Sequence, residues 1–372
     1  MFSLFSITHE PGQGVPRSTS NQPPADPFTV LCMKNLRIVL SVAALALAAA
    51  VISGACGHAS PNAGQPALPT QTGTQLVILD TDIGDDIDDA FALALVLRSP
   101  ELKLLGITTA YGDTELRAKL VDRYLAAVGR TDIPIATGVP TPHTNVFTQA
   151  AYAQQAAGGP KHPDGVQFLL DQIKAHPGEI TLIAIGPLFN VQAAIERDPA
   201  TFKQLKRAVL MGGSIHRGYD NILNSNLPAA MRTPSSEWNI NRDPAGLRAL
   251  LASGVPVFMM PLDSTQIHLQ APEREKIFSH GSALTDQLTL LYHQWSAGSE
   301  GHPDTPTLFD PVAVAYAIRP DLCPATPMRL EVDDKGFTKP VDGSPNAQVC
   351  LKSDEKGFLE LLLSRITTDT TH

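Results

Sequence analysis

Residues 80–90 read DTDIGDDIDDA, so six of eleven consecutive residues are aspartates. An apolar run, Leu76-Val77-Ile78-Leu79, precedes this stretch, and a second apolar pattern, 91–97, follows it. The pattern predicts a strand, an acidic loop and a helix. A loop of this kind lies at the carboxyl end of its strand, where open α/β sheets bind ligands. Carboxylates packed this densely repel one another, and a hard cation among them relieves the repulsion. An oxygen-rich site suits Ca²⁺ or Mg²⁺. Gly84 gives the loop the freedom to turn sharply. The plainer alternative is a solvated turn whose aspartates cap the helix; the buried strand immediately before it argues against that reading.

The N-terminal stretch, up to about residue 74, is not expected to be part of the fold. Residues 1–31 are rich in Pro, Ser, Thr and Gln and have no period. Met33-Lys34-Asn35-Leu36-Arg37 then gives a basic start, followed by an apolar run over 38–52 and by Ser53-Gly54-Ala55-Cys56. Residues 33–56 read as a secretory signal with a lipoprotein-like cleavage site before Cys56. Ile52 stands one place upstream of the usual aliphatic position, and cleavage near Ala59 is the alternative. Residues 1–32 are then either an extension or the product of a start placed upstream of the true one at Met33. The apolar run is short for a membrane-spanning helix. Residues 57–74 form a flexible Pro/Gly/Thr/Gln tether. The expected product is exported and is either anchored by lipid at Cys56 or released as a periplasmic or extracellular protein. About 300 residues remain, from 75 to 372, enough for one large catalytic domain. A net charge of −9, with no basic patch, argues against nucleic acid as a partner. Cys323 and Cys350 either pair, as an exported chain permits, or remain buried thiols.

Further along, short apolar runs predict strands at 102–109, 133–136, 180–185, 208–211, 255–260, 328–332 and 348–352. Helical patterns fall at 116–128, 166–175, 272–279, 283–297 and 355–366, with two more opened by Asp243-Pro244 and Asp310-Pro311. Residues 141–163 and 214–236 read as long polar loops. Alternating strands and helices imply an α/β fold: a mainly parallel, Rossmann-like open sheet covered by helices on both faces. The late strand pair suggests a small antiparallel addition near the C-terminus.

DTDIGDDIDDA resembles the D-x-D-x-G-x-D-D-A signature of the inosine-uridine-preferring nucleoside hydrolase family, with two extra residues between Gly84 and Asp88-Asp89. Asp82, Asp88 and Asp89 match the motif, while Asp85 and Asp86 have no assigned counterpart. Four more segments resemble that family in the same order: Ala184 to Asn190 (AIGPLFN), Val209 to Gly213 (VLMGG), Ser236 to Ile240 (SEWNI) and Phe309 to Ala315 (FDPVAVA). The resemblance covers nearly all of the chain from Leu76 onward. It implies a Ca²⁺ held by Asp82, Asp89, Asp310 and the backbone carbonyl of Ile185, with Asp82 also the general base. It implies ribose binding by Asp88, Glu237 and Asn239, with Met211 beside the sugar and Asp113 in place of a sugar-contacting Asn. The substrate is then a small-molecule ribonucleoside, and the protein a homo-oligomer, dimer or tetramer.

The chemistry asks for these residue types. Cleavage of a ribosyl C–N bond passes through an oxocarbenium-like state. A cation lowers the pKa of water, and a carboxylate takes its proton. Glu237 and Asn239 lie two apart, so on an extended segment they face the same side. Plainer readings exist: Asp310 as a helix N-cap, Glu237 and Asn239 as ordinary loop groups, Met211 as the end of a core strand. Departures concentrate at the leaving group. Phe309 stands where many relatives have a His, and can only wall or stack on a base. Gln266 stands in place of a second His. His162 is the best surviving candidate acid, ahead of His216, Tyr219 and His302. Four rivals remain to be weighed. A phosphatase with Asp80 as nucleophile leaves the other motifs unexplained, and an EF-hand loop fails because Phe91 occupies its glutamate position. A lipid-tethered ribose- or nucleoside-binding protein without turnover, or a hydrolase of another ribosyl substrate, fits the missing His.

Overall fold

The computed structural model describes residues 73–156, 161–220, 233–301 and 303–368. The signal segment, Cys32, Cys56, most of the tether and His302 lie outside the described residues.

Nine strands form one sheet: β1 (Gln75–Thr81), β2 (Leu102–Thr109), β3 (Ile135–Thr137), β4 (Ile180–Ala184), β5 (Arg207–Met211), β6 (Val257–Met260), β7 (Ala325–Val332), β8 (Thr338–Val341) and β9 (Ala347–Cys350). Their order is β3-β2-β1-β4-β5-β6-β9-β7-β8. The pairs from β3 through β6 to β9 are parallel, and β7 runs antiparallel to both β9 and β8. The predicted mainly parallel α/β sheet is therefore present. The expected antiparallel addition is present as the pair β7 and β9, with β9 also joining the parallel sheet through β6 and β8 extending the addition beyond β7. β8 escaped the sequence reading because it is exposed beyond Thr338 and contains Pro340, which confines it to an edge.

The pleat divides the core in two. Val77 and Leu79 join one buried cluster and Ile78 the other, with Ile183 and Val209 on the first side and Leu182 and Leu210 on the second. Helices α1 (Asp88–Leu97), α2 (Thr114–Ala127), α11 (Ala283–Gly298), α12 (Pro311–Ile318) and α13 (Glu355–Ile366) pack on the first face. Helices α4 (Gly165–Ala175), α5 (Phe189–Arg197) and α8 (Pro244–Ala252) cover the second. α1 and α12 touch each other and are apolar almost all round, as central helices must be. α10 (Ala271–Phe278) was anticipated within a residue. The short helices α3 (Ala150–Gln154), α6 (Pro199–Phe202), α7 (Trp238–Arg242) and α9 (Leu262–Thr265) were not, because four or five residues cannot display a 3.6-residue period.

This strand order places a topological switch between β1 and β4: the chain leaves β1 toward β2 on one side, and β4 occupies the other. The crevice at such a switch, outside the carboxyl ends, is where this architecture binds ligands. Asp82 follows β1 there and Ile185-Gly186 follows β4. Gly186 is required by contact: a Cβ on it would lie 2.8 Å from Asp82 Oδ1.

Cys323 and Cys350 form a disulfide, which settles the choice between pairing and free thiols. It ties the turn after α12 to β9, across 27 residues of chain. Closing a loop of that length restricts the unfolded chain by about 3–4 kcal/mol. Cys323→Ser/Cys350→Ser should therefore lower unfolding free energy by about 2–4 kcal/mol in denaturant titration; an unchanged midpoint would show that the bridge does not constrain the unfolded chain.

Candidate active site

The acidic loop is built from both ends. Thr81 closes β1 and its hydroxyl donates to Asp89 Oδ1 at 2.5 Å, while accepting from the Ile83 amide at 3.1 Å. Gly84 takes φ +128° with the Phe147 ring against it. Asp88 and Asp89 occupy the first turn of α1, where the helix dipole favours negative charge. Neither caps it: the N-cap is Ile87, with no side-chain bond. The helix-capping reading of the loop therefore fails. Asp310, at the start of α12, likewise makes no capping bond, and its amide donates to Asp88 Oδ2 at 3.2 Å.

Asp88, Asp89 and Asp310 converge, each offering one oxygen within 4.8 Å of the others, and all three are buried. Burial, then repulsion from neighbouring carboxylates (Asp86 and Asp82 on Asp88, Asp82 and Asp88 on Asp89, Asp88 and Asp89 on Asp310), raises their carboxyls well above the usual range. Asp82 lines the same cavity; burial chiefly lifts it to about 7, against the attraction of Arg117. All-oxygen donors that are buried and mutually repelling fit a hard divalent cation. The sequence grouped Asp82, Asp89 and Asp310; the tightest group in the structure has Asp88 instead of Asp82.

Arg117 of α2 was missed. It is fully buried, donating from Nε to Tyr111 O at 2.8 Å, from Nη1 to the carbonyls of Asp82 and Ile83, and from Nη2 to Asp85 Oδ2 at 3.0 Å. It holds the backbone beneath the aspartates and supplies the counter-charge that a longer acidic loop needs. Only its position in the fold shows this, since in the sequence it is one basic residue of an ordinary helix. The expected polar loop 141–163 proves to strap this loop. Thr148 donates to Asp85 O at 2.7 Å, Gln149 Nε2 donates to Asp86 O at 2.6 Å, and His143 Nε2 lies 2.8 Å from Asp85 Oδ2.

Glu237 is the N-cap of α7, and Asn239 lies within that helix. This corrects the extended segment expected there, yet both side chains line the cavity. Glu237 accepts from the amides of Gly213, Asn239 and Ile240 and from the Tyr219 hydroxyl. Asn239 Nδ2 donates to Ile185 O at 3.1 Å and Met211 O at 3.2 Å, so its carbonyl oxygen is what it offers a ligand. The cavity, about 380 Å³, brings these residues together with Asp82, Asp86, Met211, Ile185 and Phe309, a size suited to a small ligand.

Two expected residues lie elsewhere. Asp113 caps α2 through Leu116 N, is exposed, and does not line the cavity. His162 lies between Glu115 and Asp122 of α2, at 3.3 and 2.9 Å, also away from the cavity. Its neighbours in space come from a helix forty residues earlier, which no local motif reveals. His216 is exposed and does not line it either. Gln266 ties down the segment carrying Tyr219, accepting from Asp220 N and donating to Gly218 O. Asp80, fully buried with Oδ1 held by Thr108 and Asn190, cannot serve as a phosphatase nucleophile.

A family model described as inosine-uridine preferring nucleoside hydrolase matches residues 77–360. The pyrimidine-specific ribonucleoside hydrolase RihA of Shigella boydii is 29% identical over 323 residues, covering 78% of this chain and 97% of its own. A solved plant nucleoside hydrolase superposes with a TM-score of 0.69 at 25% identity, covering 79% of this chain and 99% of that one. The purine-preferring ribonucleoside hydrolase of Gardnerella vaginalis gives 0.65 at 25% identity, covering 79% and 98%.

The carboxyl cluster makes stability depend on pH. In the unfolded chain these groups titrate near 4, whereas burial holds Asp82 at about 7 in the fold. Between those values the native state binds more protons, so metal-stripped protein loses stability as pH rises from about 4 to about 7. Adding Ca²⁺ at pH 7.5, at a hundredfold excess over Kd, should raise Tm by about 5 °C. A flat Tm–pH profile in EDTA, or no response to the cation, would contradict the picture of a repelling cluster.

Proposed function

The chain belongs to the inosine-uridine preferring nucleoside hydrolase family, and from that premise we propose that it is a Ca²⁺-dependent hydrolase of the N-glycosidic bond of ribonucleosides, releasing ribose and the free base. The observation that carries this reading is the convergence of Asp88, Asp89 and Asp310 in one buried cavity with Asp82, Glu237 and Asn239. Asp89, Asp310, Asp82 and the Ile185 carbonyl would hold the cation, and Asp88, which converges with Asp89 and Asp310, would be a further candidate ligand. Bound there, a divalent cation lowers the pKa of water and so supplies the nucleophile at neutral pH.

Asp82 takes the proton of the attacking water. Glu237 and the Asn239 carbonyl oxygen accept from ribose hydroxyls, and with Asp88 they place the anomeric carbon over the water. The backbone amides that point at Glu237 keep it an acceptor, opposing the upward push of burial. Met211 packs beside the sugar. Phe309, with Tyr219 edge-on at 6.1 Å, walls the base. The reading extends to export through residues 33–56, a lipid anchor at Cys56 and a dimer or tetramer. The disulfide supports folding in an oxidising compartment.

The full chain with Ca²⁺ should release ribose from purine or pyrimidine ribonucleosides, and EDTA should abolish this. Asp82→Ala should lower kcat by about 10²–10⁴-fold. Binding of nucleosides without any turnover would favour the silent binding protein instead. Ribonucleoside 5′-phosphates should be far poorer substrates, because among the described residues no Lys or Arg lines the cavity to receive a phosphate. Equal turnover of uridine and its 5′-phosphate would refute that point.

A further inference from the structure

We propose that the base-binding end of this cavity is built for N-ribosides whose base carries a fixed positive charge, a class that leaves as a neutral molecule and needs no proton. The inference rests on the nucleosidase reading and names its substrate class.

Charge is the first ground. Eight carboxylates line the cavity and, among the described residues, no Lys, Arg or His does. The nearby cation, Arg117, is committed behind the loop to Asp85 and to three backbone carbonyls. One divalent cation leaves the cavity acidic, so a positive ligand is favoured there over a neutral one. Aromatic surface is the second ground. Trp295, Phe309, Tyr219 and Trp238 line the same cavity, and aromatic rings beside a carboxylate form the usual receptor for a ligand cation. Asp86 supplies that carboxylate. It accepts from the Ile87 amide at 2.7 Å and from the Trp295 indole, which places the carboxylate against that ring.

Proton supply is the third ground. A neutral base departs as an anion unless a group protonates it. Phe309 has no proton to give, Gln266 is tied to the backbone, and His162 is paired on α2. The Tyr219 hydroxyl accepts from Trp238 N and gives its proton to Glu237. Residues 221–232 read NILNSNLPAAMR, which contains no group that releases a proton near neutrality. With a cationic base, the C1′–N bond breaks and its electron pair returns to the ring nitrogen, cancelling the charge. The water oxygen bonds to C1′, and its proton passes to Asp82 and then to solvent. Cationic riboside and water thus give ribose, neutral base and one proton.

The test compares 7-methylguanosine with guanosine on the full chain with Ca²⁺, beside Asp86→Asn and His302→Ala. The expected result is kcat/KM at least about a thousandfold higher for 7-methylguanosine, the scale of an absent general acid. Asp86→Asn should shrink that ratio about tenfold by weakening the cation alone. Comparable turnover of the two substrates would overturn the inference. So would a ratio that Asp86→Asn leaves unchanged or increases, or guanosine turnover that collapses in His302→Ala, since each reveals another basis for selection or a protein acid. Turnover of neutral nucleosides without this preference leaves the nucleosidase reading standing, whereas hydrolysis of neither substrate nor any other nucleoside overturns both.

Discussion

Mutual repulsion among buried carboxylates is the constraint that the active-site end of the sheet must satisfy. Asp82, Asp88, Asp89 and Asp310 are each desolvated, and each is raised further by neighbouring carboxylates: Asp82 by Asp85, Asp88 by Asp86 and Asp82, Asp89 by Asp82 and Asp88, and Asp310 by Asp88 and Asp89. Two opposing charges make such a cluster tolerable. One is intrinsic: the Arg117 guanidinium lies beneath the loop and lowers Asp82 and Asp89. The other is the cation that the oxygen cluster fits. Their placements differ in kind. Arg117 is locked by backbone carbonyls and cannot leave, so it stabilises the loop in every state. The carboxylates line an open cavity, so a cation held by them would also act on water there. A buried cluster charged on one side only would be a structural ion network; open on the other, it can do chemistry.

The sheet topology explains why these residues meet. Asp82 comes from the end of β1, Ile185 from β4, Met211 from β5, and Asp310 from a helix packed against α1. None is near another in sequence, apart from the loop itself, yet all reach the one crevice where the strand order reverses. The disulfide lies at the far end of α12 from Asp310. It therefore fixes the base of the helix whose first turn carries a cluster carboxylate.

Much of this was legible in the sequence. The acidic loop, the strand–helix alternation, the motif containing Glu237 and Asn239 and the helix opened by Asp310-Pro311 all appear in the structure near their expected positions. Each rests on a local signal: a periodic apolar run, a proline at a helix start, a dense cluster of one residue type. What escaped depends on contacts across the fold. Arg117 reads as one more basic residue on a helix until its partners are known. His162 looked like a candidate acid because its neighbours in sequence suggested a motif, but its neighbours in space are Glu115 and Asp122. The two-residue spacing of Glu237 and Asn239 was correct in its consequence and wrong in its geometry. A helix N-terminus, not an extended strand, brings both side chains to the cavity.

The division of labour within the cavity follows from what each side can offer. In the proposed function the sugar side is rich in positioned acceptors: Glu237 is fixed by backbone amides and Asn239 by two carbonyls, so both are set before a ligand arrives. Such preorganisation would lower the cost of placing the anomeric carbon. The proposed base side offers flat aromatic surface and carboxylate. Relatives of this chain bear names specifying pyrimidines in one case and purines in another. In the proposed function, selection among bases therefore falls to the residues that would face the leaving group. On the inference drawn above, those residues would attract positive charge and supply little acid, shifting the burden of leaving-group activation from the protein to the substrate.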